Sequence, residues 1–253
     1  MIQIKNSQQI AAMRDAGRIT GEALLVARDA ICPGMSTKEL DDIIRKYIEK
    51  CGAKPSFLGY GGFPGSACIS IGPQVIHGIP SKKVIIHEGD IVKVDVGAFY
   101  KGFHGDAART IAVGEVSEEA KKLIRVTRDS FFAGVAQVKP GNRIGDVGAA
   151  VQKVVEDNGF SVVRRYVGHG VGHELHESPD VPNYGTPGRG VRICTGMTIA
   201  IEPMVNVGVP DVTESSDGWT VTTADLKLSS HYENTVALTE NGVVILTQID
   251  QDW

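Results

Sequence analysis

The chain repeats its own punctuation at a fixed interval, and that repeat constrains its fold more than any other feature. Pro33-Gly34 recurs as Pro140-Gly141, Cys51-Gly52 as Asn158-Gly159, Gly89 as Gly196, and the acidic Asp95 as Glu202, each pair 107 residues apart. Gly and Pro punctuate all folds, so one coincidence carries little weight. Four landmarks of different kinds at one offset predict a tandem duplication within a single domain spanning 1–253, with halves at about 10–115 and 117–240. Two copies packed about a pseudo-twofold axis would set Asp95 and Glu202 facing one cleft. No linker, charge run or low-complexity segment divides the 253 residues, which are ample for one substantial core.

Asn6 to Ile31 reads as a helix, capped by Asn6 or Ser7, with Ile10, Met13 and Ile19 as its buried stripe and Cys32-Pro33-Gly34 as its stop. Ser36-Thr37-Lys38-Glu39 is a capping box opening a second helix that carries Leu40, Ile43, Ile44, Tyr47 and Ile48 at core spacing. The second half restarts the pattern, with a helix over 117–138 and another carrying Ile144, Val147, Val151, Val154 and Val155. Ala67 to Ile71 reads as a short strand. A polar excursion runs from Val205 to Ser230, past the turn Ser216-Asp217-Gly218 and an exposed Trp219. The strand Tyr232 to Leu238 and a closing strand after Glu240-Asn241-Gly242 follow.

Between Gly89 and Val113 the alternation is strict. Val92, Val94 and Val96 share one face of a half-buried strand, and Lys93 and Asp95 share the other. Tyr100-Lys101-Gly102 supplies a turn, and Ala108 to Val113 returns. Centring the turn on Tyr100 and Lys101 sets Asp95 directly opposite Asp106, where like charges repel. A shared proton or a bound cation would offset that repulsion.

A net charge of −4 gives no global sign of nucleic acid or an anionic membrane as partner. Met1-Ile2-Gln3-Ile4-Lys5 leads into a polar amphipathic segment, with no signal-peptide core and no spanning stretch. Cys32, Cys51, Cys68 and Cys194 stand far apart and read as reduced, mostly buried thiols, so a cytoplasmic location is expected.

Three of the seven histidines, His169, His173 and His176, fall within eight residues, and glycines around His169 would let the backbone approach whatever that imidazole binds. With Asp95, Asp106, Glu202 and Glu233, His169 makes a set of four carboxylates and one imidazole, each carboxylate on a predicted strand. Taken singly, each of these acids reads as the solvent face of a strand. Their joint placement around a duplicated hairpin favours a site. His87, His104, His173 and His231 read as surface residues or as supports behind it, and Phe57, Tyr60, Phe63 and Cys68 as core. Trp219, beside a turn, is the aromatic least suited to core packing.

These residues carry a resemblance. Val94-Asp95-Val96, Gly105-Asp106, Gly168-His169-Gly170-Val171-Gly172, Ala200-Ile201-Glu202-Pro203 and Tyr232-Glu233-Asn234-Thr235 resemble the motifs of type I methionine aminopeptidases. So do Gly59-Tyr60-Gly61-Gly62-Phe63-Pro64 and Val75-Ile76-His77-Gly78-Ile79-Pro80. The likeness covers essentially the whole chain. It implies the α+β pita-bread fold, in agreement with the duplication, two divalent metal ions (Co, Mn, Fe, Zn or similar) and removal of the initiator methionine from nascent polypeptides whose second residue is small. It further implies that Asp106 and Glu233 bridge both metals, that His169 and Glu202 complete one, and that Asp95 binds the other. His77 and His176 match histidines that contact the substrate and its tetrahedral intermediate. Glu202 would also shuttle a proton. Phe57, Tyr60, Phe63, Cys68, Leu175 and Trp219 match the lining or rim of the methionine pocket. Leu175, Phe57 and Gly61 depart from the family's familiar residues. The partners expected on this reading are N-terminal Met and a transient ribosome contact, without specific nucleic acid or membrane, for a monomer.

Four rivals share parts of this pattern. Prolidases and proline aminopeptidases share the ligand set but usually carry a further N-terminal domain, whereas here the first helix starts at Asn6. A type II methionine aminopeptidase needs a long insertion between His176 and Glu202, which are only 26 residues apart. Pita-bread binding modules lose their ligands, and all five are present here. A dinuclear phosphohydrolase would need an Arg or Lys cluster beside the carboxylates.

Overall fold

The computed structural model describes residues 2–248. Helix α1 (Ser7–Ala30) starts at a reciprocal cap: Asn6 Oδ1 accepts from the Gln9 amide and Gln9 Oε1 from the Asn6 amide, both at 2.9 Å. Helix α2 (Thr37–Lys50) starts the same way, with Ser36 as cap and Glu39 returning the bond. β1 (Lys54–Pro55), β2 (Ala67–Ile71) and β3 (Gln74–Ile76) lead to the long hairpin of β4 (Ile91–Tyr100) and β5 (Phe103–Ala112). Then come α3 (Glu118–Val135), α4 (Ile144–Asp157), β6 (Ser161–Val162), β7 (Gly168–Gly170), β8 (Glu177–Val181) and β9 (Thr198–Ile201). The polar excursion is not bare loop. It holds β10 (Met204–Asn206), β11 (Val212–Glu214), β12 (Val221–Thr223) and β13 (Ser229–His231), which pair into two small sheets with β6 and β3. β14 (Glu233–Thr239) and β15 (Gly242–Ile245) close the fold.

Among the described residues the main sheet has nine strands, antiparallel throughout, in the order β1-β4-β5-β14-β9-β7-β8, with β2 on β4 and β15 on β14. α1 and α2 cover one half of it, packing Ile19, Leu24, Leu40 and Ile44 on Ile69, Val92, Val94 and Val96. α3 and α4 cover the other half, packing Phe131, Val147 and Val151 on Ile199, Ile201, Val236 and Leu238. No helix of the described residues is long and apolar enough to cross a membrane. The four cysteines are free, but Cys32 and Cys194 are exposed where burial was expected.

The 107-residue interval appears in local geometry as well. α2 and α4 stand at that offset, and so do Gly34 and Gly141 (φ 91° and 94°), Gly52 and Gly159 (75° and 83°), and Gly89 and Gly196 (both 88°). The Thr37 amide donates to the Val84 carbonyl at 2.9 Å, and the Ile144 amide to the Val191 carbonyl at the same distance. Beyond Glu202 the interval slips. The long partner of β9 is β14, because the β10–β13 excursion intervenes.

The hairpin register differs from expectation. The two-residue turn is Lys101-Gly102, with φ of 51° and 84°. A tight hairpin turn with both central residues in the left-handed region matches the twist of its strands, which is why the glycine is drawn into its centre. Asp95 therefore pairs with Ala108, and Asp106 with Gly97. A slip of two preserves the face. Asp95 and Asp106 become diagonal rather than direct neighbours, and Glu233, opposite Ala108, joins the same face. That face is covered too, so β4 is buried on both sides. Lys93 is 1% exposed and its Nζ donates to the Gly72 carbonyl at 2.7 Å. Burial lowers its pKa to about 7.

The hairpin carries α1 at backbone distance. A Cβ on Gly105 would stand 2.8 Å from the N and Cα of Gly17. Replacing Gly105 with Ala is expected to push the helix off the sheet and cost about 1–3 kcal/mol. An unchanged midpoint in urea unfolding would contradict that packing.

Candidate metal centre

Strand geometry brings distant acids together. Asp95 on β4, Asp106 on β5, Glu233 at the start of β14 and Glu202, one residue past β9, all line a cavity of about 210 Å³. His169 on β7, His77, His176, Phe57, Tyr60, Phe63, Cys68, Leu175 and Trp219 complete its lining. The thirteen residues named from sequence thus meet in one place, and no Lys or Arg is among them.

His169 Nδ1 lies 2.9 Å from the Gly170 carbonyl, the only role open to it there being donor, which leaves Nε2 free as a lone-pair ligand. That Nε2 stands 3.6 Å from Glu202 Oε1 and 3.7 Å from Asp106 Oδ2. The glycines beside it serve a different end from the one expected. A Cβ on Gly168 would meet the Ala200 carbonyl oxygen at 2.4 Å, and one on Gly170 the Ser178 oxygen at 2.6 Å. They admit neighbouring backbone, not a ligand.

The carboxylates are withdrawn from water and short of donors. Asp106 and Glu233 are 3% and 2% exposed, Glu202 is buried, and Asp95 is half-buried. Asp95 Oδ1, Asp106 Oδ1 and Glu233 Oε1 are buried with no hydrogen-bond partner among the described residues. Burial, reinforced by the neighbouring acids, raises the carboxyls of Asp95, Glu202 and Glu233 well above their usual range. Burial alone lifts Asp106 to about 7. Orphaned carboxylate oxygens converging without a basic side chain fit divalent cations. Ligand atoms of Asp106, His169 and Glu233 lie within 4.8 Å of one another, as do those of Asp95, His231 and Glu233.

Around this centre sit two further histidines. Burial, then the charge of His176, lowers His77 to about 4, and burial lowers His176. His77 holds a left-handed φ of 58° between the edges of Tyr166 and Trp219. His176 Nδ1 meets the Tyr60 hydroxyl at 2.7 Å, and its ring lies 4.0 Å from that of His169. The other end of the cavity is apolar: Phe57, Phe63, Cys68 and Leu175 form a buried cluster, with Trp219 edge-on to Phe63 at 5.1 Å. Trp219 is packed here, not free on the surface.

Of the histidines set aside on sequence, His104 is satisfied by Ser56 at 2.8 Å, and His87 and His173 are exposed. His231 is not at the surface. It is 1% exposed and faces Glu202 and Glu233. Its signal was the two-residue spacing from Glu233, which puts both side chains on one side of an extended chain. Arg109 was also missed. It lies beneath the centre, with Nη1 donating to the Glu233 carbonyl at 2.7 Å and Nη2 to Asn234 Oδ1 at 2.9 Å.

Comparison with known proteins supplies the class. The profile of metallopeptidase family M24 matches residues 11–240, and the chain belongs to that family. Within it, the chain is 56% identical to the methionine aminopeptidase of Clostridium acetobutylicum, covering 98% of this chain and 99% of that one. It is similar to the crystal structure of methionine aminopeptidase from Thermotoga maritima at a TM-score of 0.96 and 47% identity, over 98% of this chain and 100% of that one. The prolidase from Pyrococcus furiosus is more distant, with a TM-score of 0.78 and 26% identity over 98% of this chain and 66% of the other. The fold is therefore the pita-bread fold, and the protein is a divalent-metal-dependent hydrolase.

Raised carboxyl pKa values have a consequence for stability. Carboxyls that favour the protonated form when folded support folding below about pH 4, and that support is lost as pH rises through the raised values. For Asp106 the upper end is about 7. Bound Mn(II) would offset the repulsion of the ionised set. The gain in melting temperature on adding Mn(II) to metal-free protein is therefore expected to grow between about pH 5 and 8. A gain that does not change with pH, measured by scanning fluorimetry, would contradict this account.

Proposed function

We propose that the protein removes the initiator methionine from nascent polypeptides whose second residue is small, using two divalent ions, in the cytoplasm. The observation that carries this reading is a cavity with an apolar, sulfur-containing end and a cluster of four carboxylates and one imidazole at the other. Full-length similarity to methionine aminopeptidases supports it.

Asp106 and Glu233 would hold both ions, His169 and Glu202 one of them, and Asp95 the other. When bound, such ions supply a Lewis acid and activate water near neutral pH. Glu202, its carboxyl raised by burial, is suited to carry a proton to the departing amine. The Tyr60 hydroxyl can donate to His176 Nδ1, and in that tautomer the imidazole proton is on Nε2, where it can stabilise a developing oxyanion. Neutral His77 can hold the scissile amide. Phe57, Phe63, Cys68, Leu175 and Trp219 offer a thioether side chain an uncharged, polarisable lining. We further propose that the single domain consists of two duplicated halves. The recurring glycine angles and hydrogen bonds at one offset support this.

Tripeptides read by mass spectrometry test the reading. Met-Ala-Ser is expected to be cleaved best, with its norleucine analogue close behind, since the two side chains have nearly equal volume. Lys-Ala-Ser and Asp-Ala-Ser are expected to resist, because the cavity would bury their charges without a partner. Met-Lys-Ser and N-acetylated Met-Ala-Ser should be poor substrates. A preference for Gly-Pro-Ser would favour a prolidase activity, and equal rates for all would overturn the role given to the apolar end.

A further inference from the structure

We propose that His231 is a second imidazole ligand of the metal centre, opposite His169, so that each ion has one nitrogen donor. The inference rests on the metallopeptidase reading and extends its ligand set.

The backbone of His231 is pinned by one side chain. Its amide donates to Thr110 Oγ1, and its carbonyl accepts from the same hydroxyl, both at 2.9 Å. So held, the imidazole is driven into the core, 1% exposed, with Nε2 aimed at two carboxylates. It stands 3.8 Å from Glu233 Oε2 and 3.9 Å from Glu202 Oε2. These separations exceed a hydrogen bond. They resemble those of His169, whose Nε2 stands 3.6 Å from Glu202, the carboxylate that faces both imidazoles, and 3.7 Å from Asp106. Donors bound to one ion at about 2.0–2.2 Å stand roughly 3–4 Å apart, so both imidazoles keep the distance of co-ligands.

The partners of His231 point the same way. Neither ring nitrogen has a hydrogen-bond partner among the described residues, an arrangement that is costly for a buried imidazole unless something else engages it. Its ligand atom falls within 4.8 Å of those of Asp95 and Glu233, forming a second group beside that of Asp106, His169 and Glu233. The two groups share Glu233, and each holds two carboxylates and one imidazole. A nitrogen donor at the second ion moves that ion's set from purely oxygen toward one suited to Fe(II), Co(II) or Zn(II).

Proton NMR of the Co(II)-loaded protein tests this, with metal content measured on the same sample. Each imidazole bound to Co(II) contributes a strongly shifted, exchangeable ring N–H signal. The wild-type protein is expected to show two, and His231→Gln to keep one while weakening one Co(II) ion tenfold or more. The wild-type spectrum needs no variant, so a fold defect in His231→Gln, checked by circular dichroism, would not decide the matter. A single shifted N–H in wild type with two Co(II) bound would overturn the role of His231 and leave the metallopeptidase reading intact. No bound Co(II) at all would overturn both.

Discussion

Four carboxylates withdrawn from water around one small space are the constraint on which the rest of this molecule depends. Left to themselves they repel, and burial drives each toward its protonated form. No Lys or Arg lines the cavity to neutralise them, and three of their oxygens lack donors among the described residues. Cations shared between acids resolve that conflict, and membership of metallopeptidase family M24 accords with it.

The fold is arranged to hold those acids still. Asp95, Asp106 and Glu233 stand on one face of three adjacent strands, so pleat and register fix their spacing. Arg109 braces β14 from below through the Glu233 carbonyl and the Asn234 side chain. The loop bearing Leu175 and His176 is tied to the chain's start by a buried ion pair between Lys5 and Glu177. Removing one member of such a pair typically costs about 3–5 kcal/mol, because its partner stays buried and charged. Gly172 leaves room for the pair, since a Cβ there would meet Glu177 Oε1 at 2.4 Å. The catalytic side thus depends on residues far from the cavity in sequence.

Much of this was legible in the sequence because it is local. Asn6 with Gln9 and Ser36 with Glu39 declare helix starts, and glycines at a common offset recur with matching φ. What could not be read was set by tertiary context. The turn centre depended on which residues take a left-handed backbone, and Lys101, a non-glycine, is one of them. Lys93 looked like a solvent-facing residue because alternation reports one covered face and is silent about the second. His231 was passed over because it follows an excursion of 26 polar-rich residues, whose folding into β10–β13 returns it to the centre. The glycines around His169 were right as glycines and wrong in purpose, since backbone crowding leaves no mark in one dimension.

The central claim is that a few shared carboxylates hold a pair of ions, with Glu233 common to both groups. Metal stoichiometry after equilibrium dialysis against Mn(II) tests it most directly, comparing wild type with Glu233→Gln. Two ions per wild-type chain and the loss of tight binding for both in the variant are the results this account predicts. A wild-type protein that retains no ion, or a Glu233→Gln variant that still retains two, would contradict it.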